Sequence, residues 1–423
     1  MWLLLIVLII LILISFPIVL AIGASTTISF LISHLPLYMI PQKMFDGINS
    51  YVLLAVPLFM LAGNFMDQGG LSKRIVRLSE AIVGHFRGGL AMTAILASMF
   101  FAGVSGSAAA DTAAIGSILI PSMKKNGYPK DLSASIIAAG GSIGVIIPPS
   151  IPMIIFGFIS DVSIGKLFIA GILPGILIGL SLIIVTLFTA KKLNINPTKE
   201  KFDFKEFKSA LKDSIWALGA PIIIIGGILG GVFTATESAA VAVVYSFLVG
   251  KFIYKELTWE NFPKATLSSI VTSAVILIII SVASVFAWFL SIKNIQMQLT
   301  HFFLTITHDK ILLVILINIF LLIMGTFVET AASLILFVPV VAPILNSIGI
   351  DPLTSGVMIV TNLAIGMLTP PLGICLIVSG SIADSKIIEV SKAIMPFLIA
   401  MIIDLFIITF FSPLTTYLPK FVG

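Results

Sequence analysis

The sequence predicts an all-α, polytopic membrane protein, and three observations support that fold class. The chain has 423 residues, of which 59% are hydrophobic and only 10% are charged. Its mean hydropathy is +1.19, well above that of soluble globular proteins. Apolar runs of about 20 residues, long enough for a helix to cross the hydrocarbon core of a bilayer, recur along the whole chain. Helices satisfy their own backbone hydrogen bonds in lipid, and runs of this length exclude a β-barrel.

The apolar runs define the predicted elements in order. The first 33 residues carry no charged side chain. They are apolar for too long to be the core of a cleaved signal peptide, so they predict a first membrane helix. The predicted segments are spans at 2–32 and 48–67, a hairpin at 88–123, a broken span at 131–162, spans at 167–190, 215–235, 237–254 and 267–291, a hairpin at 310–346, a broken span at 353–382, and a last span at 388–417.

The distribution of basic residues predicts the orientation of these spans. The polar loop at 191–213 holds seven lysines, which places it in the cytoplasm by the positive-inside rule. Counting spans from this loop puts 19 of the 24 Lys and Arg residues on the cytoplasmic side. The same count predicts a cytoplasmic N-terminus and a periplasmic C-terminus. The segment at 202–213 is amphipathic and is predicted to lie on the inner membrane surface.

An internal repeat is the most informative feature of the sequence. Seven glycines and prolines recur at one constant offset in the numbering, and five predicted crossings separate the two hairpins. An odd number of crossings inverts the second unit relative to the first, which is typical of inverted-repeat secondary transporters. The matched pairs are Gly103 and Gly325, Pro121 and Pro343, Gly127 and Gly349, Gly144 and Gly366, Pro148 and Pro370, Pro149 and Pro371, and Pro174 and Pro396.

The repeat predicts four regions along the chain. Residues 1–87 form N-terminal scaffold helices, and 88–190 form the first repeat transport unit. Residues 191–309 form a cytoplasmic amphipathic arm with further scaffold helices. Residues 310–423 form the second repeat transport unit and the C-terminal helix.

Each repeat unit contains a hairpin tip and a broken segment of unusual composition. The tips "FFAGVSGSAAAD" and "IMGTFVETAASL" lie near the middle of apolar segments whose ends fall on one predicted side, so each hairpin is predicted to be re-entrant. The broken segments "GVIIPPS" and "GMLTPP" contain paired prolines, which remove donors and interrupt the helix. Freed carbonyls and hydroxyls suit Na⁺, and half-helix N-termini suit a carboxylate. We therefore expect two pseudo-symmetric cation sites with an anionic solute between them.

Two acidic residues lie in the hairpins, and each has two readings. An ionisable group at membrane depth is a functional candidate by default, so Asp111 and Glu329 are both candidates. Asp111 lies about one turn past its tip and could instead cap or pair within the protein. The tip serines could likewise serve only to let helices pack closely.

Other functions were weighed on the same residues. "GVSG" at 103–106 resembles the serine motif of intramembrane proteases, but such a nucleophile needs a histidine base within hydrogen-bond reach. His34, His85, His301 and His308 all map close to predicted span ends. A proton-coupled carrier or a passive channel stays open, because Asp111 or Glu329 could titrate. No phosphate-binding G-x-x-x-x-G-K-[ST] loop occurs, so the sequence predicts no use of ATP.

Taken together, the motifs resemble those of the large membrane subunit of tripartite ATP-independent periplasmic (TRAP) transporters. The resemblance covers essentially the whole chain. It rests on "GGLSKRIV" at 69–76, "GVSGSAAADTAAIGSILIP" at 103–121, "GGSIGVIIPPSIP" at 140–152, "KLFIAGILPG" at 166–175 and "GMLTPPLG" at 366–373.

The resemblance implies a bacterial inner-membrane permease and not an enzyme. It implies an elevator-type secondary transporter, similar in fold to the divalent-anion sodium symporters, with Na⁺ as the coupling ion. Family members work with a small four-helix membrane subunit and a periplasmic solute-binding protein that delivers a carboxylate-bearing solute. That solute would be a dicarboxylate, a sugar acid or a sialic acid. No nucleic acid is implied.

The resemblance also implies site residues. The first Na⁺ site would use Ser105 and Ser107 with backbone around Gly141 and Val145. Ser105 and Ser150 would lie near the solute. The second Na⁺ site would use Thr326, Glu329 and Thr330 with Gly366 and Thr369. Relatives often carry aspartate where this chain has Glu329, and that carboxylate is one methylene longer.

Overall fold

The structure is a computed structural model that describes residues 2–14, 16–193, 195, 197, 201–295, 298 and 309–421. Parts of the loop at 191–213, His301, His308 and the terminal Gly423 lie outside these residues. Within the described residues, seven helices are long and apolar enough to cross a membrane, or eight if one bent pair counts as a single span. The prediction of an all-helical membrane protein is confirmed.

The N-terminal segment differs from the single span predicted at 2–32. It forms two helices, α1 (Trp2–Leu13) and α2 (Ile18–Ile32), and Pro17 is the N-cap of the second. The helices pack against each other. Leu4 and Leu8 of α1 share one buried cluster with Ile22 and Phe30 of α2. The prediction of one helix is therefore wrong, because a proline lacks the backbone donor and clashes with the preceding turn.

Three more helices lie between α2 and the first repeat unit. The segment at 69–88, which falls between two predicted membrane segments, is mostly helical, and Gly70 begins it with a φ of +78°. These helices are α3 (Met39–Ile48), α4 (Ala55–Gln68) and α5 (Leu71–Val83).

The first repeat unit contains the predicted hairpin and broken span. Ser98 in the first arm of the hairpin and Thr112 in the second lie against the neighbouring glycines Gly140 and Gly141 of one helix. The two arms are therefore antiparallel, because in a continuous helix 14 residues would span about 21 Å. The helices of this unit are α6 (Gly89–Ser105), α7 (Ala108–Lys125), α8 (Lys130–Ser142), α9 (Ile151–Ser160) and α10 (Ile164–Lys192).

The middle of the chain forms α11 (Phe204–Leu229), α12 (Ala235–Leu248) and α13 (Asn261–Ile292). The amphipathic segment predicted to lie on the membrane surface forms the first part of α11. Its apolar face packs on α5, where Ala210 is buried with Leu78 and Ala81. Phe204 and Leu211 of the same segment remain exposed, at 67% and 39%, and its position on the membrane surface stays a prediction.

The second repeat unit repeats the helix order of the first, with two helices joined by a bend in the place of the single helix α10. The second hairpin arms, α7 and α15, have the same length, and their start and end positions differ by the same offset as the matched glycines and prolines. Gly127 and Gly349 follow these arms, with φ of +82° and +77°. The helices are α14 (Lys310–Phe327), α15 (Thr330–Ser347), α16 (Pro352–Gly366), α17 (Ile374–Ala383), α18 (Ile387–Ala393), α19 (Met395–Phe410) and α20 (Pro413–Thr416).

The offset between the repeat units increases by one after the paired prolines. Asp161 and Asp384 end α9 and α17 with φ of +54° and +52°, and they are one position further apart than the matched prolines that precede them. The second broken segment is thus one residue longer than the first. Pro174 and Pro396, paired in the sequence by the smaller offset, are consequently displaced by one residue in the structure.

The two repeat units interlock reciprocally. Helix α9 of the first unit packs on α15 and α16 of the second, and α17 of the second unit packs on α7 and α8 of the first. Because α9 and α17 are equivalent helices and each packs into the opposite unit, the two units are related by a pseudo-twofold axis. The internal repeat read from the sequence is confirmed, and the direction of each unit in the membrane stays a prediction.

An ion-pair network ties α5 to α11 and to the loop after α12. Arg74 bonds the Glu256 carboxylate at 2.8 Å, pairs with Asp213 at 3.4 Å and stacks on the Tyr254 ring at 3.7 Å. Burial alone would raise the pKa of Glu256, but hydrogen bonds from Arg74 and Lys73 outweigh burial and hold that pKa below its ordinary value. This stabilisation is present at neutral pH and is lost as pH falls through the lowered pKa of Glu256.

Replacing Arg74 with methionine is expected to lower the thermal unfolding temperature of the purified protein. Only 17% of the Arg74 side chain is exposed, and hydrogen bonds to charged groups of this kind contribute about 2 kcal/mol. The deficit should shrink at acidic pH, where Glu256 is protonated. Lys73→Met is the matched control, because Lys73 pairs with the same carboxylate but is 70% exposed. Equal effects of both changes would contradict the assignment.

Candidate ion and solute site

The tip of the first hairpin is a two-residue turn between α6 and α7. Gly106 adopts a φ of +63°, and a Cβ at this position would lie 2.8 Å from the Pro149 carbonyl oxygen. Only glycine fits, since the turn needs the left-handed region and close backbone approach. The Ser107 amide donates to Ser105 Oγ at 3.2 Å. The structure therefore brings Ser105 and Ser107 together and sets the tip against the first broken segment.

The first broken segment contains backbone carbonyl groups that accept no hydrogen bond from a helix amide. In the part of the chain that the structure describes, the carbonyl oxygens of residues 146–149 accept no backbone hydrogen bond. The Pro149 oxygen faces Gly106, and the Pro148 oxygen lies near Gly103. Buried carbonyls are nearly always paired, so oxygens of this kind are candidate cation ligands.

Asp111 lies against this broken segment. Its side chain is fully buried, and neither carboxylate oxygen has a hydrogen-bond partner among the described residues. A Cβ added to Gly144 would collide with Asp111 Oδ2, and one added to Gly141 would collide with Thr112 Oγ1. The Ser105 hydroxyl is close enough to interact with the carboxylate. Among the described residues, no ion pair and no capping hydrogen bond of the Asp111 carboxylate supports the alternative in which it caps a helix or pairs within the protein.

Two further predicted residues of the first site are engaged within the protein. Ser150 is fully buried. Its hydroxyl donates to the Val145 carbonyl oxygen at 2.5 Å and accepts from the Met153 amide at 3.3 Å, which caps α9. The structure therefore brings Ser150 and Val145 together. In this conformation the Ser150 hydroxyl is used to begin a helix.

The second site is built around a glycine pair. A Cβ at Gly366 would lie 2.6 Å from the Cα and carbonyl carbon of Gly325, so α14 and α16 touch at backbone level. Thr326, next to Gly325, is buried and donates to the Ile323 carbonyl at 2.7 Å. Thr369 donates to Ile365 at 2.9 Å. Thr326 and Gly366 are thus brought together at the end of the second hairpin.

Glu329 acts as a helix cap in the structure. Its Oε2 accepts from the amides of Ala331 at 3.0 Å and Ala332 at 3.3 Å. The neighbouring Thr330 hydroxyl is buried without a hydrogen-bond partner among the described residues. No hydrogen bond in the described chain joins Glu329 or Thr330 to Gly366 or Thr369. The carboxylate that the sequence assigned to the second ion is held by its own helix.

The two tips differ in exposure. At the first tip Ser105 is 6% exposed and both prolines of the broken segment are buried. At the second tip Phe327 and Leu372 are 56% and 50% exposed. The first site is thus enclosed, and the second opens to the surface.

The protease alternative has no geometric support. Among the described residues, Ser105 Oγ bonds the backbone of Ser107 and lies near the Asp111 carboxylate. No contact in the described chain places His34 or His85 beside Ser105. The His85 ring packs on the rings of Phe86 and Phe202.

Sequence reasoning missed three polar features near the site. Thr112 fills the space at Gly141 and interacts with Cys375 of the other unit. Asn362 donates to Asn318 Oδ1 at 2.9 Å and locks α16 to α14. Asp404 is buried in the last long helix. An acidic residue inside an apolar run could have revealed Asp404, whereas the other two depend on contacts between distant segments.

Comparison with known proteins decides the family. The model of the DctM component of tripartite ATP-independent periplasmic transporters matches residues 4–414. The chain belongs to this family. It is therefore a multi-pass large permease of a bacterial TRAP transporter, and the family is one of transporter subunits and not of enzymes.

Several curated TRAP permeases resemble the chain along most of its length. The isethionate TRAP transporter permease protein of Oleidesulfovibrio alaskensis is 39% identical over 94% of this chain, and the chain spans 62% of that relative's length. The sialic acid TRAP large permease of Vibrio cholerae is 38% identical, with 90% and 88% of the two chains covered. The C4-dicarboxylate TRAP large permease of Pseudomonas aeruginosa is 37% identical, with 90% and 89% covered.

Solved structures resemble the TRAP permease in fold. The YdaH transporter of Alcanivorax borkumensis aligns with a TM-score of 0.65 at 15% identity, covering 91% of this chain and 87% of that one. The MtrF structure of Neisseria gonorrhoeae aligns with a TM-score of 0.61 at 14% identity, covering 88% and 84%. At these identities the likeness concerns the fold alone.

Proposed function

We propose that this TRAP large permease imports a small organic acid, driven by Na⁺ that binds at the two hairpin tips. The observation that carries the proposal is the first tip. There, the carbonyl oxygens of Pro148 and Pro149, which accept no backbone hydrogen bond in the described chain, face the hairpin tip, and the Ser105 hydroxyl lies near the buried carboxylate of Asp111. A set of hard oxygen ligands suits an alkali or alkaline-earth cation.

Sodium is favoured over the proton as the coupling ion. A proton binds to one titratable group, whereas a metal cation needs several oxygen ligands around it, and most of the oxygens at this tip are neutral. Asp111 is the only charged side chain between Gly89 and Met123, so a bound monovalent cation would neutralise it. The contrasting case is a carrier in which Asp111 alone binds a proton.

The substrate class follows from the relatives and from the fold. The relatives are named for isethionate, sialic acid and C4-dicarboxylates, which are all organic acids. The N-termini of α7, α9 and α15 begin at the tips and broken segments, and helix N-termini favour anions. The acid would bind between the tips, with Ser105 and Ser150 on the first side.

The proposal includes the transport cycle and the partners. The interlocked units would move together as an elevator, carrying re-entrant hairpins past a scaffold formed by the remaining helices. The tripartite character of the family supports a small membrane subunit and a periplasmic binding protein as partners. The binding protein would present the acid at the exposed second tip.

Uptake into proteoliposomes tests the proposal. The chain is reconstituted with the small subunit encoded beside it, and its loaded binding protein is added outside. Uptake should require both an inward Na⁺ gradient and the binding protein. Uptake that follows a pH gradient and ignores Na⁺ would overturn the coupling assignment.

Removing a single hydroxyl at either predicted Na⁺ site should weaken Na⁺ binding. Ser105→Ala or Thr369→Val is expected to raise the Na⁺ concentration for half-maximal uptake by about tenfold, the lower end of the loss caused by removing a supporting group at other metal sites. The maximal rate at saturating Na⁺ should change less.

Ser117→Ala is the matched control, because Ser117 is exposed and bonds only its own helix. An unchanged Na⁺ dependence in both Ser105→Ala and Thr369→Val would refute the assignment of these hydroxyls to the Na⁺ sites.

A further inference from the structure

One buried carboxyl lies outside both ion sites, at the contact between α10 and α19. Ser181 Oγ donates to Asp404 Oδ1 at 2.8 Å, and the two residues are 223 positions apart. That separation equals the offset that relates the starts of α9 and α17. Ser181 and Asp404 are therefore equivalent positions of the two repeat units. Since equivalent residues can touch only near the axis that relates them, this hydrogen bond lies on the pseudo-twofold axis.

Asp404 is enclosed near the middle of its helix. Its residue exposure is 2%, and Oδ2 has no hydrogen-bond partner within the described chain. The helices that pack against α19 are α8, α10, α16 and α18. Helix α16 carries no charged residue, and the titratable and charged groups of the other three are Lys130, Asp131, Lys166, Lys191, Lys192, Glu389 and Lys392.

These charges lie at helix ends, far from the carboxyl. Along α10 the lysine nearest to Ser181 is Lys191, ten residues away, which corresponds to about 15 Å. Glu389 and Lys392 lie in α18, before a bend of 53° that precedes α19. Within the described residues, Asp404 therefore has no ion-pair partner, and the hydrogen bond that it accepts comes from a neutral hydroxyl. An ionised carboxylate in that setting is costly, and a bound proton removes the cost.

We propose that Asp404 is a proton-binding site on the pseudo-twofold axis of the permease. The proton sits on the Asp404 carboxyl, and the hydrogen bond with Ser181 holds the equivalent helices α10 and α19 together. When the proton leaves to water, the Ser181 hydroxyl still donates to the carboxylate, but an uncompensated charge is buried between the helices, and the cost of burying it loosens the contact. The effect would reach the first broken segment through Met401, one turn before Asp404, whose Sδ lies 3.8 Å from the Ser142 hydroxyl at the end of α8.

Infrared spectroscopy of the purified protein tests the site without any transport. A protonated carboxyl has its own C=O stretching band, which shifts in deuterated water. The wild type minus Asp404→Asn difference at neutral pH should contain one such band. Its absence would overturn the proposal. Asp404→Asn preserves the shape of the side chain, so the fold is expected to survive.

A second variant keeps the test decisive if Asp404→Asn does not fold. Ser181→Ala removes the hydroxyl partner, so the protonated-carboxyl band should remain but shift in frequency. A spectrum in which no protonated-carboxyl band responds to Ser181→Ala would overturn the proposal. Asp161→Asn is the control: Asp161 is exposed at the end of α9, and asparagine tolerates the positive φ found there.

Uptake adds a functional measurement. Wild-type uptake at saturating Na⁺ should fall as pH rises from neutral to alkaline, and Asp404→Asn, which cannot lose a proton, should keep its uptake over that range. Asp161→Asn should follow the wild type. Identical pH profiles for wild type and Asp404→Asn would overturn the role of the proton at this contact. Because the infrared band is independent of the driving ion, failure of the Na⁺ proposal leaves this test intact.

Discussion

Gly366→Ala is expected to reduce Na⁺-driven uptake at least tenfold. A methyl group at this position would lie 2.6 Å from the backbone of Gly325, and backbone atoms cannot turn aside as a flexible side chain can. The hairpin arm α14 would be pushed away from α16 at the second predicted ion site. Overpacking of this kind costs about 1–3 kcal/mol, so thermal stability should fall as well. Gly366→Leu should be more severe.

Three glycines provide a graded series for this experiment. A Cβ at Gly325 would lie 3.2 Å from Gly366 Cα, and one at Gly226, towards the end of α11, would meet nothing within 4 Å. Gly325→Ala should therefore have an intermediate effect, and Gly226→Ala should leave uptake unchanged. Normal uptake by Gly366→Ala would show that α14 and α16 need no backbone contact for transport.

Asp111→Asn is expected to raise the Na⁺ concentration for half-maximal uptake by about tenfold or more. The substitution keeps the volume of the side chain against Gly144 but removes the only charge between Gly89 and Met123. Loss of a charged group in or beside a metal site costs roughly 10–100-fold in affinity. The measurement is uptake against Na⁺ concentration in proteoliposomes.

A second change approaches the same carboxylate from the opposite side. Gly144→Ala places a methyl group where Asp111 Oδ2 lies, so it should displace the carboxylate without altering its charge and also weaken Na⁺ dependence. Asp161→Asn, which neutralises an exposed carboxylate, is the control for charge alone. If both changes near the tip leave the Na⁺ curve in place, Asp111 is a structural residue.

Local chemistry explains why so much of the architecture was readable from the sequence. Hairpin boundaries predicted at 88–123 and 310–346 match the helices to within a few residues, because glycine and proline act on the backbone where they stand. The repeat was readable for the same reason. The family followed from motifs such as "GVSGSAAAD", and the comparison with the DctM model confirmed it.

The errors arose where two structures satisfy the same composition. The apolar stretch at 2–32 is long enough for one helix. In the structure it forms two packed helices, and Pro17 begins the second. The amphipathic start of α11 packs on α5 through Ala210, and its position on the membrane surface stays a prediction. Ser150 and Glu329 carry the right oxygens for a site, but in the structure both cap helices.

Hydropathy was enough to establish the fold class. The positions of glycine and proline, which act on the local backbone, revealed the repeat and the segments that break their helices, and the short motifs indicated the family. Which atoms meet was set by the packing of the folded chain. That packing placed Asp111 against Gly144, joined Gly325 to Gly366 and put Ser181 beside Asp404 on the axis between the units. The first two contacts each join helices within one unit, and the third joins the two units. They connect segments tens to hundreds of residues apart, so they depend on how the folded helices pack and not on any local pattern of residues.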